Sequence, residues 1–118
     1  MKNDLVDRTR KFAIDCMVLC SKLPKTREYN AYVNQLIRCS SSVGANYRAS
    51  QRAKSTADFI NKLKIVEEEA DETLYWLEIL EESNLLNASR ITKLKKEVNE
   101  VVAIVVASIK TLRDKPKK

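Results

Sequence analysis

The sequence predicts an all-α protein, an antiparallel up-down-up-down bundle of four helices. Three observations carry this. One glycine and two prolines in 118 residues leave almost no turn material, and no proline falls between Lys25 and Asp114. Leu, Ala, Glu and Lys are abundant, a composition of long helices with short links. Apolar residues also recur at steps of three and four along most of the chain, the period of a helix with one buried face. The length suits one domain over residues 1–118, large enough to bury a core but too small for two.

The first helix is expected over about residues 5–22. Asp4 stands as its N-cap and Asp7 in the dipole-favoured first turn. Its apolar line is Leu5, Phe12, Cys16, Leu19 and Leu23, widened by Ala13 and Cys20. Pro24 ends it, because a proline pushes the residue before it out of the helical region.

The second helix is expected over 27–52. Tyr29, Val33, Leu36, Ser40, Val43 and Tyr47 step by four and three, with Ile37 and Gly44 beside them. Ser40, Ser41, Ser42 and Gly44 are poor helix formers, and glycine costs about 1 kcal/mol relative to alanine. The period nevertheless passes through them unbroken. The segment therefore reads as a continuous helix whose small residues admit a close neighbour.

The third helix, 56–83, has the clearest pattern. Ser55 is the N-cap, and Asp58 makes an acidic variant of the capping box. Phe59, Leu63, Val66, Ala70, Thr73, Leu77 and Leu80 then form a heptad seam. After Leu85–Leu86 the fourth helix is expected over 88–113, capped by Asn87. Its seam is Ile91, Leu94, Val98, Val101, Val105, Ser108 and Leu112. Ser108 is buried on this reading, its hydroxyl bonded to a carbonyl one turn back. Residues 114–118 are expected to form a frayed basic tail.

The net charge of +6 is unevenly spread. Residues 24–64 carry +6 and residues 65–85 carry −8, every charge in the latter being acidic. Arg48 and Arg52, four apart, are expected to project together from the end of the second helix, followed by Lys54, Lys62 and Lys64. Clustered cations suit phosphate, because neutralising a phosphate releases condensed counterions. Arg48, Arg52, Lys54 and Lys62 are therefore the candidate nucleic-acid-binding residues. The same cations also suit the acidic block of a neighbouring subunit. Glu68, Glu69, Glu72 and Trp76 are the candidate oligomer interface, supported by apolar residues in excess on the fourth helix (Val102, Ile104, Val106, Ile109). The alternative is that Trp76 and these valines complete a monomer core.

Chemistry is not expected. Without histidine the commonest general base and metal ligand are missing. Gly44 is alone, so no phosphate-cradling loop exists. The closest carboxylates, Glu68, Glu69 and Glu72, share one helix, whereas a di-iron bundle needs them on facing helices with ExxH motifs. No catalytic residue, metal site or cofactor is assigned. Cys16, Cys20 and Cys39 are expected as small core residues, since a disulfide framework normally needs an even count. No run spans a bilayer and the N-terminus lacks a signal-peptide core, so a soluble cytoplasmic protein with no membrane partner is expected.

The run SSVGANYRASQRAKSTADFINKLKIVEEEADETLYWLEIL, with RKFAIDCMVLCSKLPKT before it and VASIKTLR after it, resembles the bacterial four-helix-bundle proteins encoded in intervening sequences of 23S rRNA genes. The resemblance covers almost the whole chain and is most specific from Ser42 to Ser55, at Asp58 and Phe59, and from Glu72 to Leu77. It implies a homopentamer around a central channel and an association with rRNA. The chain is also similar to the accessory variability protein of diversity-generating retroelements, a basic pentamer that binds nucleic acid and a reverse transcriptase. That likeness implies a nucleic-acid role for Arg48, Arg52, Lys54 and Lys62, and a protein partner such as a polymerase. The acidic block departs from a uniformly basic wall. No reaction follows from either resemblance.

Overall fold

A computed structural model describes residues 4–83 and 85–115. Its helices are α1 (Asp4–Ser21), α2 (Arg27–Ser50), α3 (Thr56–Ser83) and α4 (Ala88–Asp114), with a single 3-10 turn, Leu85–Asn87, before α4. Each helix packs on the next and α4 returns to α1, closing the up-down bundle, which measures 56 × 25 × 20 Å.

Local chemistry sets most of the boundaries. The last turn of α1 tightens through Lys22 N–H to Leu19 O (2.9 Å) and Leu23 N–H to Cys20 O (3.2 Å), and Pro24 follows. Asp4 is already helical, so it does not cap α1 as expected. Thr26, which the sequence reading passed over, caps α2 by accepting the Tyr29 N–H at 3.1 Å. At α3 the Ser55 hydroxyl accepts the Asp58 N–H at 3.0 Å. The Asp58 carboxylate reaches back to the Lys54 N–H at 3.2 Å, one residue earlier than in the usual box. Ser55→Ala should cost about 1 kcal/mol of stability, measured by urea denaturation; an unchanged midpoint would show that the box contributes nothing. Asn87 occupies the N-cap position of α4, but its side chain makes no capping bond, because its backbone belongs to the preceding 3-10 turn.

The core follows the apolar seams. Leu63, Val66, Ala70, Thr73, Leu77 and Leu80 of α3 are all buried, and Phe59 packs half-buried against the same cluster. On α4 the seam runs as expected from Ile91 to Val105, then shifts by one residue so that Ile109 is buried in place of Ser108. A strict seven-residue repeat drifts around a straight helix of 3.6 residues per turn, which accounts for the shift. Half-buried Ser108 still bonds Ile104 O at 2.9 Å. Residues 116–118 of the expected tail lie outside the described residues, and Asp114 is the last residue of α4.

Helix α2 runs unbroken through its serines and Gly44. Ser40 and Ser50 are buried with their hydroxyls bonded to the carbonyls of Ile37 and Tyr47. Gly44 lies against α1: a Cβ there would sit 3.2 Å from Thr9 Oγ1 and 3.3 Å from the Thr9 carbonyl. Thr9, omitted from the expected core, is fully buried because its hydroxyl donates to Leu5 O at 2.8 Å.

Candidate nucleic-acid interface

The link from α2 to α3 is held by its own backbone. The Gln51 N–H caps α2, Arg52 N–H bonds Ala49 O at 3.0 Å, and Ala53 N–H bonds Ser50 O at 3.2 Å. Because α2 stops at Ser50, Arg52 sits in this turn and does not project from the helix four residues beyond Arg48, as had been expected. The small polar run at its end turns the chain while every one of these N–H groups stays satisfied.

The four candidate cations differ in availability. Arg48, Arg52 and Lys54 are exposed, and none forms an ion pair among the described residues. Lys62 is half-buried and committed to Asp58, one turn earlier on α3. That pairing, with the Lys54 N–H, holds the Asp58 carboxyl below its ordinary range. Arg48 also rims a shallow cleft between α1 and α2 that is floored by Thr9, Ala13 and Gly44. Across that cleft Arg10 is paired with Asp7 at 2.9 Å.

The acidic candidates are also unequal. Arg38 of α2 bridges Glu69 (3.1 Å) and Glu72 (2.5 Å) of α3, and Trp76 Nε1 donates to Glu72 at 3.0 Å. The Trp76 donor and then Arg38 hold the Glu72 carboxyl below its usual value. Two of the three interface glutamates are therefore engaged within the chain. Glu68 is exposed and in no ion pair among the described residues. Trp76 packs partly on the core and touches Tyr32 and Tyr75, with ring centroids 5.7 and 5.1 Å away.

Sequence reasoning missed the cross-bundle ties. Arg8 of α1 grips Glu97 of α4 through two bonds of 2.7 and 3.0 Å and reaches Glu100 at 3.4 Å. Lys95 of α4 meets Glu81 of α3 at 2.8 Å. Nothing local marks these pairs, which depend on which helix faces meet.

All three cysteines are buried free thiols. No group of three or more Cys, Asp or Glu side chains among the described residues is arranged to hold a metal ion.

The 23S rRNA-intervening sequence protein family matches residues 1–107. This chain belongs to that family. The crystal structure of a protein of unknown function from the S23 ribosomal protein family of Bacteroides thetaiotaomicron VPI-5482 superposes with a TM-score of 0.82 at 33% identity. The superposition covers 90% of this chain and 98% of that one. No curated protein matches the chain. In this member of the 23S rRNA-intervening sequence protein family, the basic α2–α3 end and the acidic middle of α3 are thus separate surfaces. No helix among the described residues is long and apolar enough to cross a membrane.

Proposed function

We propose that this protein is a non-catalytic, homo-oligomeric RNA-associated protein that meets rRNA through the α2–α3 end of its bundle. One observation carries the reading: Arg48, Arg52 and Lys54 are exposed and form no ion pair among the described residues, while Lys62 and Arg38 are already paired. Cations outside ion pairs, at the end of α2 and in the hydrogen-bonded link after it, can take phosphate without first breaking an ion pair. The family's 23S rRNA setting makes rRNA the first nucleic acid to test. Assembly with further copies, five in the family's pattern, is supported by Ile104 and Val106, which remain 39% and 43% exposed on α4.

Binding to structured rRNA fragments, with unrelated RNA and duplex DNA as controls, should be selective and weaken linearly in log salt. Each phosphate contact removed should lower the slope by roughly 0.7–0.9. The R48E/R52E/K54E variant should lose at least about tenfold in affinity at roughly 150 mM salt, with helicity unchanged by circular dichroism. Wild-type affinity in a correctly folded triple variant would reject this surface.

A second reading, an oligomeric scaffold for a protein partner such as a polymerase or reverse transcriptase, is favoured by the exposed aromatic and acidic face of α3. It predicts no rRNA binding at that salt concentration and a specific protein recovered by pull-down.

A further inference from the structure

The exposed face of α3, on which the scaffold reading rests, carries an ordered row of side chains. Glu68, Asp71, Tyr75, Glu78 and Glu82 follow one another at steps of three and four, and all five are exposed. They form one stripe of about 21 Å at 1.5 Å per residue. The four carboxylates form no ion pair among the described residues, whereas Glu69, Glu72 and Glu81, on the flanks of the same helix, are paired with Arg38 and Lys95. These three flanking acids are neutralised within the bundle, while the row faces solvent, Glu78 and Glu82 lying in the field of Lys95.

Aromatic rings stand at the middle of the row. Tyr75 is 56% exposed and Tyr32 of α2 is 37% exposed, with Trp76 between them. The Tyr75 and Trp76 rings meet edge to face, and the indole N–H is held by Glu72. The rings are therefore set in place before any partner arrives, which lowers the cost of ordering them on binding. Exposed π-faces attract cations, and a guanidinium stacks on them better than an ammonium.

From this combination we infer that the α2–α3 face docks an arginine-rich polypeptide segment of a partner protein. Arginines stack on Tyr75, Tyr32 and Trp76 and pair with Glu68, Asp71 and Glu78. Charge complementarity selects the occupant. Four exposed carboxylates in no ion pair among the described residues, with Lys95 the one cation acting on Glu78 and Glu82 from the flank, repel nucleic acid, and an apolar helix would leave them desolvated. The α2–α3 end and this face then serve different partners, RNA at one and protein at the other.

The test uses a labelled helical peptide with four arginines at steps of three and four, and its lysine counterpart of equal charge. Polarisation would be read at roughly 150 mM salt, where the Debye length is about 8 Å. The arginine peptide should bind the intact protein saturably and more tightly than the lysine peptide. Tyr75→Ala should weaken it about fivefold or more, the loss of an aromatic–cation contact. E68Q/D71N/E78Q should weaken both peptides and flatten the salt dependence. Glu28→Gln, an exposed acid at the start of α2, serves as the control and should change nothing. Tyr75 is exposed, so its variant should fold, which circular dichroism checks. Equal binding of the two peptides, or indifference to Tyr75→Ala, would reduce the effect to general polyelectrolyte attraction and overturn the proposal. So would an oligomer that dissociates on Tyr75→Ala, which would make this face a contact between copies of the chain.

Discussion

Gly44→Val should destabilise the bundle by about 2–3 kcal/mol, the cost of forcing bulk into a packed contact. The physical case rests on one approach of α1 to α2. A Cβ at position 44 would stand 3.2–3.3 Å from the Thr9 hydroxyl and carbonyl. Thr9 cannot retreat cheaply, because it is fully buried and its hydroxyl is bonded to Leu5 O. Alanine would meet the same crowding but regain about 1 kcal/mol of helix propensity, so Gly44→Ala should lie close to wild type. The branched valine adds two further carbons beside α1 with little extra propensity. In urea denaturation the midpoint of Gly44→Val should fall well below those of both glycine and alanine. If valine were tolerated as well as alanine, the two helices would not touch there.

The protein should also lose stability as pH rises above about 9, through its cysteines. Burial pushes the Cys20 thiol up to about 11 and raises Cys16 and Cys39 as well. The folded state therefore holds these protons more tightly than the unfolded chain, whose thiols titrate near 8.5. The stabilisation is complete below the unfolded value. It is lost as pH climbs toward the folded one, where unfolding releases protons. For Cys20 alone a shift of roughly two units corresponds to about 2–3 kcal/mol by pH 11. Thermal melts from pH 7 to 10.5 should show a falling midpoint in wild type and a flatter profile in C16A/C20A/C39A, compared as differences from each protein's pH 7 value. In the same native protein a thiol reagent should label the three cysteines only on unfolding. Rapid labelling at pH 7, or identical slopes for the two proteins, would count against burial as the source of the shift.

The candidate interface was only partly legible in the chain. Arg48, Arg52 and Lys54 stand out from sequence because they cluster in a stretch with few acids, and they are exposed and in no ion pair among the described residues. Lys62 looked equivalent but is held by Asp58, an i,i+4 pair that its spacing could have revealed. The apolar period gives no stop signal before Arg52, although α2 ends at Ser50. The stop comes from the small polar run at the end of α2, where Ser50 is buried and bonds Tyr47 O and the Arg52 N–H turns to Ala49 O. Glu69 and Glu72 looked available to a neighbour because their partner, Arg38, is more than 30 positions away along the chain.

The sequence by itself determined the four helices, the buried faces of α3 and most of α4, the stop at Pro24 and the Ser55–Asp58 box. Each of these depends on contacts within a few residues or on a period repeated along one helix. Only the tertiary structure decided that Thr9 is a core residue, that Gly44 is a point of helix contact, and that Arg8 and Arg38 consume particular carboxylates. It likewise separated the acids neutralised inside the bundle from the row along Tyr75 that faces solvent. Those outcomes depend on the rotation and register of one helix against another, and no spacing within a single helix encodes them.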